Sequence, residues 1–96
     1  MVENINITQL LTMLNDVNLI DIRPILNFNN NHIPSAKNIP QSKLIITPDK
    51  YLKKSETYYI YCQKGINSIG LAQMLNKQGY NIINVEGGYE KWVLTN

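Results

Sequence analysis

Residues 56–61, Glu-Thr-Tyr-Tyr-Ile-Tyr, constrain the fold more than any other segment of the chain. Their β-branched and aromatic side chains run without polar alternation, the pattern of a central strand buried on both faces. Strands of that kind belong to mostly parallel sheets covered by helices. The run ends at Cys62, the only cysteine, and a short loop containing Gly65 follows. A helical pattern begins directly after it. Ile69, Leu71, Ala72, Met74 and Leu75 form a wide apolar stripe over residues 68–78, and Gly79 suits the position just past the helix end. One thiol is thereby placed at the carboxyl end of a strand and at the mouth of a helix N-terminus. Free backbone N–H groups there stabilise a thiolate, or an anion bound to it.

The remaining segments alternate strand and helix signals. Thr8 is read as the cap of a short helix through about Leu14. Leu19 to Ile22 read as a short buried strand ended by Pro24, and residues 25–31 as a polar connection with Leu26 and Phe28 at helical reach. Residues 32–36 form a turn before a brief extended piece, Lys37-Asn38-Ile39, stopped by Pro40. Ser42 is read as the cap of a helical turn, and Pro48 as the first-turn residue of another toward Leu52. Tyr80 to Val85 give a last strand, and Gly87-Gly88 a turn before a terminal helix. No internal repeat or linker divides residues 1–96, so one domain is expected, of α/β class with a mostly parallel sheet.

Bulk properties exclude several functions. The formal net charge of +2 and the scattered lysines give no footprint for nucleic acid. No apolar run is long enough to span a membrane. Met1-Val2-Glu3-Asn4 lacks the basic and then apolar layout of a secretory leader. A single cysteine forms no internal disulfide, which fits a reducing cytoplasm. One His and one Cys also argue against a metal site.

Three ordered blocks resemble the rhodanese-type sulfurtransferase domain. Leu19-Ile20-Asp21-Ile22-Arg23 is similar to the family's strand ending in Asp-x-Arg. His32-Ile33-Pro34-Ser35-Ala36, with Asn38-Ile39-Pro40 after it, is similar to its His-Ile-Pro-Gly-Ala turn and Asn-Ile-Pro sequel. Tyr61 to Ser68 resemble its active-site loop, and Glu86-Gly87-Gly88 through Trp92 its Glu-Gly-Gly-x-x-x-Trp ending. The resemblance implies a sheet of about five strands, mostly parallel, with helices on both faces. It implies a Cys62 nucleophile that carries a sulfane sulfur as a persulfide, with the loop Gln63, Lys64, Gly65, Ile66, Asn67 and Ser68 around the substrate. The implied donors are thiosulfate, a persulfide or a polysulfide. The implied acceptors are a thiol or cyanide, or a sulfur-relay protein, and no cofactor is implied. A catalytically weak regulatory or sulfur-delivery module on the same fold is the alternative.

One departure matters. Where the family usually carries arginine, this chain has Asn67, which provides neither a cation nor a bidentate fork. Lys64 is the loop's only cation, so anionic thiosulfate is expected to be captured less well than in the family at large. Phosphatase-like relatives place an arginine clamp at the position held here by Ser68, which disfavours oxyanion transfer. Gly65 is read as letting the loop curl, and Ser68 as a helix cap in preference to a sulfur contact. Asn67 faces the same choice. Arg23 is expected to pair with Asp21 or Glu86, direct substrate contact being the alternative, and His32 to stabilise its turn, while Trp92 and the tyrosines serve core and rim.

Overall fold

Five short strands, all parallel, form one sheet in the computed structural model, which describes residues 2–95. In chain order the main elements are β1 (Glu3–Ile5), α1 (Ile7–Leu11), β2 (Asn18–Asp21), α2 (Ile25–Asn30), β3 (Lys37–Asn38), α3 (Gln41–Ile46), β4 (Thr57–Tyr61), α4 (Asn67–Lys77), β5 (Asn81–Val85) and α5 (Gly88–Thr95). The spatial order is β1-β5-β4-β2-β3, so β4 lies in the middle.

The two-residue period of the strands sorts their side chains onto two faces. Ile20 of β2, Tyr58 and Ile60 of β4 and Ile82 of β5 pack with Leu44 of α3 and Leu71, Ala72 and Leu75 of α4. Leu19, Tyr61 and Val85 face the other way and pack with Ile7 and Leu10 of α1 and Trp92 of α5. Helices therefore cover both faces, which is why residues 56–61 show no polar alternation. The chain leaves β2 toward β3 at one edge and leaves β4 toward β5 on the other side. The crevice where neighbouring strands diverge in this way is where ligands bind in open α/β sheets. Cys62 and Arg23 stand at its two sides.

Several local expectations are corrected. β1 is an additional edge strand, paired Glu3↔Ile83, Asn4↔Asn84 and Ile5↔Val85. It gave no signal because a three-residue polar edge strand has no periodicity to detect. The cap of α1 is Asn6, not Thr8, and it forms a reciprocal capping box with Gln9. Residues 25–30 are helical after Pro24, which presets the entry dihedral. Ser42 lies inside α3, which follows Pro40 in the same way. Pro48 opens only a 3-10 turn. Gly79 does follow α4 with φ +99. Ser35 stands where the family motif has glycine. It holds φ +70, and its hydroxyl donates to the Leu14 carbonyl at 3.0 Å, which offsets part of the strain.

Tyr61 ties the middle strand to the second motif. It is fully buried, and its phenol oxygen accepts the Ile33 N–H at 3.1 Å. Burial, and after it the neighbouring Asp21 carboxylate, push its ionisation up, so it remains a neutral anchor. Tyr61→Phe leaves the Ile33 N–H unpartnered in the core and should cost about 1–3 kcal/mol in urea unfolding. Unchanged stability would show that this bond does not hold the turn.

Candidate active site

The loop after β4 is fixed from behind by the terminal helix. The N–H groups of Tyr89 and Glu90, in the first turn of α5, donate to the carbonyls of Cys62 (2.9 Å) and Gln63 (3.0 Å). Such first-turn donors have no partner within their own helix, so the loop satisfies them. Two glycine turns make the close approach possible. Gly65 has φ +81 and Gly88 φ +58. A methyl group on Gly65 would lie 2.6 Å from the Gly87 nitrogen, and one on Gly88 would run into the Cys62 carbonyl.

With its carbonyls held outward, the loop turns amides onto the sulfur. The Gly65 N–H donates to Cys62 Sγ at 3.1 Å and the Ser68 N–H at 3.4 Å. The Ser68 amide belongs to the first turn of α4, so the partial positive end of that helix adds to the effect. Cys62 is 5% exposed, and a depression lined by Cys62, Gln63, Lys64, Ile66 and Asn67 opens at it. Two amides so directed are the donors that a sulfur anion at Cys62 would accept from, with no side-chain cation required.

Ser68 does not cap α4, correcting the expectation. It is completely buried, with its hydroxyl oxygen 3.3 Å from Cys62 Sγ and hydrogen-bonded to Asn84 Oδ1. Asn67 opens the helix, is exposed and caps nothing; Ile66 precedes it without a side-chain cap bond. Lys64 is exposed.

Arg23 pairs with Asp21, one of its two anticipated partners. The guanidinium contacts both carboxylate oxygens, at 2.8 Å from Nη2 and 3.1 Å from Nε, and both residues are buried. Arg23 also donates to the Asn31 carbonyl at 2.7 Å and to Gln63 Oε1 at 3.2 Å, and lies over the Tyr89 ring at 4.0 Å. Burial works against its charge, but Asp21 more than offsets this, and the guanidinium is held above its ordinary value. Arg23 thus braces the loop through Gln63 and α5 through Tyr89, with most of its donors already engaged. Glu86 is exposed and makes no ion pair with Arg23. Its N–H bonds the Ile5 carbonyl, so it stands apart from the cluster. His32 stacks on Phe28 at 3.8 Å and meets the Phe28 carbonyl through Nδ1, which fits its turn role.

Sequence reasoning missed Asn84, Asn38 and the clamping role of Gly87-Gly88. Asn38 donates to the Asp21 and Arg23 carbonyls, both at 2.9 Å, and so shapes the corner after β2. A polar residue at an inward position of β5 was the one available signal for Asn84.

Residues 6–95 match the model of the Rhodanese-like domain family. The chain belongs to that family. It is 39% identical over 75 residues to YqhL of Bacillus subtilis, a match covering 77% of this chain and 59% of YqhL. It therefore spans less than two thirds of that relative. The thiosulfate sulfurtransferase GlpE of Coxiella burnetii is 31% identical over 78 residues, covering 80% of this chain and 72% of GlpE. A rhodanese-related protein of Thermoplasma volcanium superposes with a TM-score of 0.88 at 28% identity, over 98% of this chain and 93% of that one.

Within this rhodanese-like domain the glycine clamp makes a sharp demand. Gly88→Ala puts a methyl group against the Cys62 carbonyl and the Gly65 nitrogen at a positive φ. The expected loss is about 1–3 kcal/mol in thermal unfolding, with a larger fractional loss of Cys62 alkylation rate as the loop shifts. An unaltered alkylation rate in the folded variant would contradict the clamp.

Proposed function

We propose that this protein is a sulfurtransferase that carries sulfane sulfur on Cys62. The observation that carries the reading is the pair of amides, Gly65 and Ser68, aimed at Cys62 Sγ. The family membership supports it at the level of rhodanese-type sulfur transfer. The Cys62 thiolate attacks the outer sulfur of a donor such as thiosulfate. A bond from Sγ to that sulfur forms as the donor's S–S bond breaks, and sulfite departs with the bonding electrons. The new persulfide anion lies in the loop in place of the thiolate. An acceptor thiolate, or cyanide, then attacks the terminal sulfur, and Cys62 leaves as thiolate. Two displacements through one covalent intermediate predict ping-pong kinetics. A relay protein presenting a thiol fits the second step equally well. A reducing compartment such as the cytoplasm suits an unpaired thiol of this kind.

A second reading is a sulfur-delivery or regulatory module with little turnover of thiosulfate. Asn67 favours it, since this exposed loop position supplies no cation and Arg23 is engaged elsewhere. The absence of a clamp matters less for transfer of sulfur than for oxyanion transfer, because the cradle acts on the sulfur itself.

Cys62→Ser should abolish transfer from thiosulfate and from a polysulfide while leaving the melting curve nearly unchanged. Serine is close in size but is not ionised at neutral pH and carries no sulfane sulfur. Transfer near the wild-type rate would exclude Cys62 as carrier. Asn67→Arg should lower the Michaelis constant for thiosulfate about tenfold through a charge-assisted contact. The gain should shrink at high salt and be smaller for an uncharged donor. An unchanged constant in the folded variant would assign anion capture to Lys64 and the backbone.

A further inference from the structure

The Ser68 hydroxyl has one proton and two claimants, and a chain of asparagines decides between them. Asn84 is 0% exposed, on the α4 side of β5, and its Oδ1 accepts from Ser68 Oγ. Its Nδ2 donates to Asn4 Oδ1 at 2.9 Å, across the directly opposed Asn4↔Asn84 pair of β1 and β5. Asn4 Nδ2 in turn donates to the Val2 carbonyl at 3.2 Å. A carbonyl only accepts, so the direction of every bond is fixed from that end. Asn4 must turn its oxygen to Asn84, and Asn84 must turn its oxygen to Ser68. The Ser68 proton is then committed to Asn84, and its oxygen presents a lone pair to Cys62.

We propose that Asn84, oriented by Asn4, is a positioning residue that sets the reactivity of Cys62 through the direction of the Ser68 hydroxyl. In the thiol form, Cys62 donates S–H to Ser68 Oγ and every group in the chain is satisfied. When Cys62 ionises, the hydroxyl has two choices. It stays with Asn84 and keeps a lone pair against the thiolate 3.3 Å away, or it turns to the sulfur and strips Asn84 Oδ1 of its donor in the core. Both choices favour the thiol over the thiolate. The device opposes the Gly65 and Ser68 amides and restrains the nucleophile, whose proton must pass to solvent at the open depression before the sulfur attacks a donor. The charged and titratable groups carried by elements around the loop include Asp21, Arg23, Tyr58, Tyr59, Tyr61, Lys64, Lys77, Glu86, Tyr89, Glu90 and Lys91. Changes at Asn4 leave all of them in place.

The proposal rests on Cys62 as the reacting group, and its test reads the thiol directly, without sulfur transfer. Cys62 is the only cysteine, so the pH profile of iodoacetamide alkylation reports on it alone. Asn4 is exposed, and Asn4→Ala lets water replace its side chain. Water accepts or donates, so the Asn84 amide is free to flip and give N–H to Ser68, releasing the hydroxyl to the thiolate. The profile should move to lower pH, so that alkylation near neutral pH becomes several-fold faster. Asn4→Asp keeps an acceptor facing Asn84 and, its added negative charge favouring the thiol, should not lower the midpoint. Asn84→Leu should shift the midpoint as Asn4→Ala does. If it does not fold, the Asn4 pair decides alone. A midpoint unmoved or raised in folded Asn4→Ala, or lowered equally in Asn4→Asp, overturns the proposal. Loss of sulfur transfer in the wild type, with these shifts intact, would fault the proposed function and not the relay.

Discussion

The site depends on one backbone arrangement: a short loop pinned from behind by α5 and turned inward over a sulfur. Tyr89 and Glu90 take the Cys62 and Gln63 carbonyls, which leaves the Gly65 and Ser68 amides directed at Sγ. Neither half works alone. Without the clamp the loop has no reason to hold its amides in one direction, and without the two glycine turns the clamp has no room to close. The sheet supplies the frame, since β4 ends at the crevice between diverging connections and delivers Cys62 there.

Charge is used around this cradle for bracing. The buried Asp21–Arg23 pair is locally satisfied, and its outward reach to Gln63, Asn31 and Tyr89 joins three segments at the sheet's carboxyl end. Removing either partner would strand a buried charge, which costs more than the pair contributes. The loop itself carries only the exposed Lys64. Under the proposed function, selectivity at the depression would rest on shape, on amides and on the apolar Ile66 more than on ion pairing.

The architecture was largely legible because buried parallel strands leave unmistakable runs. Residues 57–61 and 81–85 fell where their composition placed them, and Gly79 marked the end of α4. The family blocks located Cys62, the loop and the Asp21–Arg23 corner. What was not legible depended on partners far along the chain. β1 exists because β5 offers it an edge, not because Glu3-Asn4-Ile5 prefers to be extended. Ser68 looked like a cap because helix-start preferences describe isolated helices, and a buried asparagine on β5 outweighed them. The exclusion of Glu86 from the Arg23 cluster likewise followed from geometry, since either acid satisfied the pattern.

The central claim is that the amide-lined loop holds a sulfane sulfur on Cys62. Intact-mass measurement of the wild-type protein after incubation with thiosulfate or a polysulfide, then with cyanide, tests it most directly. The account predicts a gain of one sulfur, mapped to Cys62, retained after donor removal and lost on adding cyanide. An unchanged mass with both donors, while Cys62 still reacts fully with iodoacetamide, would contradict it.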